Sequence, residues 1–433
     1  MTPSRNRRTR PLTGSIAVPG DKSISHRAVM MAALASGTST IGGANPGEDV
    51  GRTLAAVEAL GATVSAPDRS SVVKVEGWGA GGPAEPEGVV DAGNSGTTAR
   101  VLLGLIAGLE GHAVISGDAS LSARPMLRVV APLRAMGADI DGRAHGDRLP
   151  LSIRGGPLEG LDHHLEIASA QVKSALLLAG LRASGTTSVT EPVRSRDHTE
   201  NMLRAAGVTV DTGPTTVRVT GGQRPVAMQW NVPGDISSAM YLLAGAVLLE
   251  GSDLVVTGVG LNPTRSGALR VLQMMGADLS TDPSGTASGE PVGDVRVRAS
   301  QLHGCRVEGS TIPSLIDEIP ILAILASQAE GETVFEAVGE LRAKETDRLA
   351  AIAGGLRALG GEAEVAGDRL VIEGPAALRG GKIDSLGDHR MAMSFAIAGL
   401  VSESTITVEN WSCVQTSFPT FLEVLGRAQG RNR

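Results

Sequence analysis

LAAVEALGATV, residues Leu54–Val64, decides the fold. Its apolar residues recur at helical spacing, a glycine closes the helix, and a β-branched run follows. Glycine at that point supplies the left-handed cap that ends a helix. The same sentence is written again as VAPLRAMGADI (Val130–Ile140), NMLRAAGVTV (Asn201–Val210), LRVLQMMGADL (Leu269–Leu279) and GLRALGGEAEV (Gly355–Val365), with a shortened copy, FLEVLGR, ending at Arg427. A second pattern keeps step with it: an apolar helix end, a turn, then a strand. Its copies are LASGTSTI ending at Ile41, LEGHAVI at Ile115, ASGTTSV at Val189, LEGSDLVV at Val256, AEGETVF at Phe335 and SESTITV at Val408. The copies return every 66 to 80 residues, roughly, which is the mark of a repeat architecture.

Six units of two helices and several strands are too many for one core. Two domains of three units each is the simplest arrangement, with the midpoint near Pro233–Gly234, where a turn signal precedes a new helix. The length of 433 residues and an apolar fraction of 42% agree with two domains. With 57 glycines and 2% aromatics, the cores must be built from small and aliphatic side chains packed closely.

The net charge of −7 argues against a nucleic-acid binder, yet leaves room for small anions held by a few converging cations. Cys305 and Cys413 are the only cysteines; without CxxC or a Cys/His cluster, neither a zinc or iron–sulfur site nor a disulfide framework is expected. No apolar run approaches bilayer length, and Tyr241–Leu249 and Ile319–Ala326 read as core helix pieces. The Arg-rich stretch Met1–Arg10 lacks an apolar region, so it reads as a tail rather than a secretory signal, and a cytoplasmic home is expected.

Two motifs are decoys. Gly77–Gly82 matches GxGxxG, but Pro83 and Pro86 stand where a helix should open to hold a pyrophosphate, so it reads as a loop. SVVK (Ser71–Lys74) lies in a strand pattern, where residues three apart face opposite ways.

The stronger signals are polar or cationic residues at helix starts, where free backbone N–H groups and the helix dipole favour anions. Lys22 and Ser23 begin a helix in VPGDKSISHR, with Arg27 one turn further on. DAGNSGTTAR (Asp91–Arg100) is a small-residue loop opening into the apolar run from Val101 to Gly108; ARPM places Arg124 near another helix start. SAQVKS (Ser169–Ser174) and RSRDHT (Arg194–Thr199) repeat the theme. In the second half, Asp317 and Glu318 interrupt an apolar stretch and read equally as helix caps or as a general base. In LRAKETDR (Leu341–Arg348), Lys344, Glu345 and Arg348 have the spacing of one helical face, and His389 with Arg390 opens a last apolar helix, Ala392–Val401.

GDKSISHR, GNSGTTAR, ARPM, SAQVKSALLLAG, LIDEIP, RAKETDRL and GDHRMAMSFA, in this order from about Gly14 to Phe421, resemble the 5-enolpyruvylshikimate-3-phosphate synthase family. The resemblance implies an α/β (α+β) fold: a two-domain inside-out α/β barrel of six βαβαββ repeats, three per domain. The domains would be 19–234, on the shikimate 3-phosphate side, and 1–18 plus 235–433, with the active site in the cleft between them and domain closure excluding water. It implies transfer of the enolpyruvyl group of phosphoenolpyruvate to the 5-hydroxyl of shikimate 3-phosphate through a tetrahedral ketal, with release of phosphate, by a monomer with no metal or organic cofactor. By resemblance, Lys22, Ser23, Arg27, Ser169, Ala170, Gln171, Arg196, Asp317 and Lys344 bind shikimate 3-phosphate. Lys22, Gly96, Arg124, Gln171, Arg348, His389 and Arg390 form the phosphoenolpyruvate pocket, and Lys22, Asp317 and Glu345 share the proton transfers, Glu345 protonating the methylene carbon.

The chain departs from the pattern in places. Thr416 stands where many relatives carry a lysine, and Arg196 lies in SRDHTE rather than in a tyrosine-bearing segment, similar to one major branch of the family. Gly96 is a glycine, as in relatives that admit glyphosate, so glyphosate is expected to compete with phosphoenolpyruvate. The related UDP-N-acetylglucosamine enolpyruvyl transferases use a loop cysteine in the first half, where this chain has none. A non-catalytic anion-binding scaffold would have no use for Asp317, Glu345 and His389 among its cations.

Overall fold

A computed structural model describes residues 10–65 and 72–431. The expected tail, apart from Arg10, and Ser71 of the SVVK decoy lie outside the described residues. By its internal contacts the chain divides into two compact units of mixed α/β structure. The N-terminal unit comprises Gly20–Val232 and the short segment Thr286–Glu290; the C-terminal unit comprises the described parts of 1–19, Pro233–Gly285 and 291–433.

Both sequence patterns are realised locally. The strand of the second pattern is Thr38–Gly42, His112–Ser116, Thr186–Thr190, Asp253–Gly260, Gly331–Phe335 and Ile406–Glu409. The glycine-closed helices are Glu48–Ala59, Leu127–Ala135, His198–Ala205, Gly267–Met274 and Arg348–Ala358, with Phe421–Ala428 as the shortened copy. The closing glycines adopt the left-handed backbone expected of them, φ +93° at Gly61 and +113° at Gly137. A side chain there would be strained, which is why glycine stops the helix. In Glu48–Ala59 the buried residues Asp49, Val50, Thr53, Ala56 and Val57 form one stripe, so this helix lies on a surface with a single face turned inward.

The sheets follow one rule. In the N-terminal unit, Val90–Asp91 pairs parallel with His112–Ser116, which pairs antiparallel with Arg148–Arg154, which pairs antiparallel with Asp139–Gly142. Burial alternates along Arg148–Arg154, as in a sheet with one face on the core. Among the described residues, four further four-stranded sheets have the same order, and a sixth holds the parallel pair Gly381–Asp384 and Ile406–Glu409. Within the C-terminal unit, Thr13–Ala17 pairs parallel with Asp253–Gly260, so the beginning of the described chain belongs to the sheets of the second half.

Beneath the sheets lie helices of a different kind. In the N-terminal unit these are α1 (Lys22–Leu34), α2 (Gly96–Ile106) and α3 (Ala170–Gly180); in the C-terminal unit they are α4 (Ile236–Leu248), α5 (Ile319–Ala326) and α6 (His389–Ala398). They are buried nearly all round, so each forms core rather than surface. Burial of one leucine or isoleucine here contributes roughly 1.5–3 kcal/mol. α2 crosses α3 at close quarters: a Cβ on Gly104 would lie 2.1 Å from the Ala175 carbonyl oxygen, so only glycine allows that approach. The polar motifs sit at the N-terminal turns of these helices.

Candidate active site

Five of the six core helices are capped by the residue just before them. Asp21 accepts from Ile24 N at 2.9 Å, Ser95 from Thr98 N at 3.1 Å and Ser169 from Val172 N at 3.4 Å. Asp235 accepts from Ser237 N at 2.9 Å and Asp388 from Arg390 N at 2.8 Å. Each cap fixes where the next few side chains emerge.

In the N-terminal unit, Lys22 on the first turn of α1 forms an ion pair with Asp49 at 2.8 Å, both largely buried. Arg27, one turn further, is 4% exposed. Its Nη1 donates to the Ser23 carbonyl at 3.0 Å, its Nε to Thr199 Oγ1 at 2.7 Å and its Nη2 to Ser174 Oγ at 2.7 Å. Burial, and then the neighbouring Arg196 charge, outweigh the pull of Glu200 and bring its pKa down to about 10. Arg27 is therefore a rigid cation with two N–H groups to spare, a natural anchor for an anionic group.

Gly96, Arg124 and Gln171 meet through a fourth residue. Arg100 Nη1 donates to Gln171 Oε1 at 3.0 Å, and Gln171 Nε2 donates to Thr97 Oγ1 at 3.1 Å. Arg124 Nη2 donates to Asn94 Oδ1 at 2.8 Å and to Ser120 Oγ at 3.1 Å. A Cβ on Gly96 would come within 2.8 Å of Arg100 Nη1 and 3.4 Å of Arg124 Nη1, so the missing side chain leaves the two guanidinium groups their places. Ser169 and Ala170 lie at the start of α3, and Arg196 lies in the loop before His198–Ala205, within electrostatic range of Arg27.

In the C-terminal unit three cations converge on Asp317. Arg348 Nη1 is 3.3 Å from Asp317 Oδ1, Lys344 Nζ is 3.6 Å from it, and Arg390 Nη2 is 4.0 Å from Oδ2. Arg348 is 1% exposed and also binds Glu345 Oε2 and, at 2.7 Å, Asp388 Oδ2. Burial opposes its charge, but Asp388, Glu345 and Asp317 outweigh that and hold its pKa above the ordinary guanidinium value. Arg390 is raised too, with burial opposed by Asp317, Tyr241 and Glu318. Its Nη1 donates to the Asp317 carbonyl at 2.9 Å, to Ser237 Oγ at 3.0 Å and to Glu318 Oε1 at 3.2 Å. His389 is buried with Nδ1 3.3 Å from Thr416 Oγ1, so the threonine at the expected lysine position packs against a site residue.

One expectation from spacing is corrected, and one alternative is closed. Lys344 and Glu345 do not share a helix with Arg348: the helix begins at Arg348, capped by Asp347, and Lys344 is extended. Glu345 and Lys344 reach the same cluster from the connecting turn, because the carboxylates and guanidinium attract them there. Glu318 stands at the N-cap position of α5, but its side chain makes no capping hydrogen bond. Glu318 is 1% exposed and spent instead on Arg265 and Arg390. Helix α6 runs His389–Ala398 and ends before the expected Val401, and Gly77–Gly82 is a loop with a 3₁₀ turn.

Several residues of the site had not been foreseen as such. Asp49, Arg100, Ser174, Thr199, Arg265 and Asp388 each fix a predicted residue from a distant or separately read segment. Arg100, Ser174, Thr199 and Asp388 lie inside the quoted motifs DAGNSGTTAR, SAQVKS, RSRDHT and GDHRMAMSFA, whereas Asp49 and Arg265 carried no signal.

This chain matches the family model described as EPSP synthase (3-phosphoshikimate 1-carboxyvinyltransferase) over residues 7–425. It is 50% identical over 422 residues to the 3-phosphoshikimate 1-carboxyvinyltransferase of Synechococcus sp. (strain JA-3-3Ab), covering 96% of this chain and 95% of that protein. It is 49% identical over 418 residues to that of Shouchella clausii (strain KSM-K16), covering 96% and 97%. A solved structure of EPSP synthase from Acinetobacter baumannii superposes with a TM-score of 0.86 at 43% identity, over 97% of this chain and 96% of that one.

Proposed function

Because the chain belongs to the EPSP synthase family and so transfers the enolpyruvyl group of phosphoenolpyruvate to shikimate 3-phosphate, we propose that the two clusters described above divide this reaction between them. The chemistry sets the demands. Two highly anionic substrates must be brought together, and only converging cations and helix N-termini offset their repulsion. The 5-hydroxyl must lose a proton as C2 of phosphoenolpyruvate is attacked, and the methylene carbon must gain one. The tetrahedral ketal then expels phosphate as its methyl group gives up one proton, which restores the methylene of the enolpyruvyl product.

In this reading Lys22, Ser23, Arg27, Ser169, Ala170, Gln171 and Arg196 hold shikimate 3-phosphate, with Asp317 and Lys344 on its hydroxyls. Lys22, Gly96, Arg124, Gln171, Arg348, His389 and Arg390 receive phosphoenolpyruvate. Asp317 or Lys22 takes the hydroxyl proton, and Glu345 delivers one to the methylene. The observation that carries the reading is the convergence on Asp317: one carboxylate ringed by Lys344, Arg348 and Arg390, with Glu345 on Arg348. It also supplies a reason for the timing of Glu345. A substrate anion on Arg348 competes with Glu345 for the guanidinium, and a carboxyl released from an ion pair takes up a proton more readily.

We read the repeated sheet order as six βαβαββ units, three per domain, in an inside-out barrel. The domains are 19–234 and 1–18 plus 235–433, in a monomeric cytoplasmic enzyme; light scattering of the purified protein tests the monomer. Among the described residues no helix is long and apolar enough to cross a membrane. The deciding experiment is phosphate release with no metal added. Release that needs both substrates, and is slowed by roughly 10²–10⁴ in Glu345→Gln, is the expected result; release from either substrate alone contradicts the reading.

A further inference from the structure

The buried charges around Lys173 have no part in the chemistry above. Lys173 is 2% exposed, and its Nζ lies 2.8 Å from Glu191 Oε2 and 2.9 Å from Glu200 Oε1, both carboxylates equally buried. Burying one ammonium and two carboxylates is unfavourable compared with apolar packing of the same volume, so the geometry of the trio matters more than its stability.

That geometry is specific. Glu191 follows directly on the strand Thr186–Thr190, and its own N–H is fixed to the Thr215 carbonyl at 2.9 Å. Its Oε1 accepts from the backbone N–H of Ser169 at 3.1 Å. Its Oε2 accepts from the backbone N–H of Ser195 at 3.2 Å as well as from Lys173. Lys173 in turn donates to the Ser195 carbonyl at 3.4 Å and, through Glu200, reaches the helix His198–Ala205. One carboxylate thus grips Ser169, at the start of α3, and Ser195, the neighbour of Arg196, from a rigid strand end. Lys173 offsets a carboxylate charge that would otherwise repel an approaching phosphate.

We propose that Glu191 is a positioning residue for the phosphate of shikimate 3-phosphate: it sets the spacing between the Ser169 turn and the Ser195–Arg196 loop. This rests on the assignment of Ser169 and Arg196 to that phosphate. Glutamine at 191 keeps the size but has one oxygen acceptor where two are needed, and its amide N–H would face a backbone donor. One of the two segments is released.

The test is steady-state kinetics and thermal melting of Glu191→Gln beside Arg196→Gln. Loss of one charge-assisted hydrogen bond predicts a KM for shikimate 3-phosphate about tenfold higher in Glu191→Gln. The KM for phosphoenolpyruvate at saturating co-substrate should stay within about twofold, since Ser169 and the Ser195–Arg196 loop are assigned to the other substrate, while Gln171, assigned to both, is held by Arg100 and Thr97 rather than by Glu191. Equal rises in both, or an unchanged KM for shikimate 3-phosphate, overturn the proposal. Arg196→Gln tests the assignment itself. If it raises that KM while Glu191→Gln does not, the positioning role is wrong; if it has no effect, the phosphate assignment is wrong. Should Glu191→Gln fail to fold, Glu191→Asp keeps the charge but withdraws it by one methylene, and the same split between the two KM values is required of it.

Discussion

Replacing Gly96 by alanine tests the arginine cluster at the start of α2. The backbone at Gly96 has no positive φ, so alanine introduces no backbone strain and is favoured in a helix by up to about 1 kcal/mol. The added methyl, however, begins 2.8 Å from Arg100 Nη1 and 3.4 Å from Arg124 Nη1. A comfortable contact is about 3.5 Å, so the Arg100 head must retreat by about 0.7 Å. Its hydrogen bond to Gln171, now 3.0 Å, would then stretch beyond bonding range. One such bond is worth about 1 kcal/mol, or about fivefold in affinity. The expected variant keeps its melting temperature and shows a KM for phosphoenolpyruvate raised at least about fivefold, a larger rise than that for shikimate 3-phosphate, which shares only Gln171 with the altered cluster. Initial rates of phosphate release over both substrates measure this. An unchanged KM for phosphoenolpyruvate would refute the argument, as would a protein that melts lower with both KM values raised together.

Glu345→Gln should lower kcat by roughly 10²–10⁴ while leaving the KM for shikimate 3-phosphate near that of the parent, measured by phosphate release. Arg348→Met strands Asp388, which is fully buried, and should cost about 3–5 kcal/mol in a urea titration. His26 is fully buried in α1; burial, then Lys22 and Arg27, push its pKa well below 6.5. The unfolded chain therefore binds the extra proton first, and the stability contributed by neutral His26 is complete above pH 6.5 and is lost as pH falls below it. Melting temperatures recorded down to about pH 5 should fall, and His26→Gln should flatten that slope. Glyphosate should raise the apparent KM for phosphoenolpyruvate without changing kcat; full activity with high glyphosate at low phosphoenolpyruvate contradicts this.

The sequence alone determined whatever depends on neighbours in the chain. A helix closed by Gly61 or Gly137 and followed by a β-branched run is a local instruction, because a left-handed cap and a two-residue alternation act within a few bonds. The same holds for the helix starts that carry Lys22, Ser169 and His389, where polar or cationic residues stand on or beside the first turn. Which charges meet, by contrast, depends on packing. Lys22 finds Asp49 across 27 residues, Arg348 finds Asp388 across 40, and Arg27 finds Thr199 across 172. Spacing even misled at Lys344 and Glu345, whose helical periodicity was accidental: charge attraction, acting through space, drew them to Asp317 and Arg348 from an extended turn. Electrostatic partners are chosen by distance after folding, and distance after folding is set by how the helices and sheets pack, which no local pattern encodes.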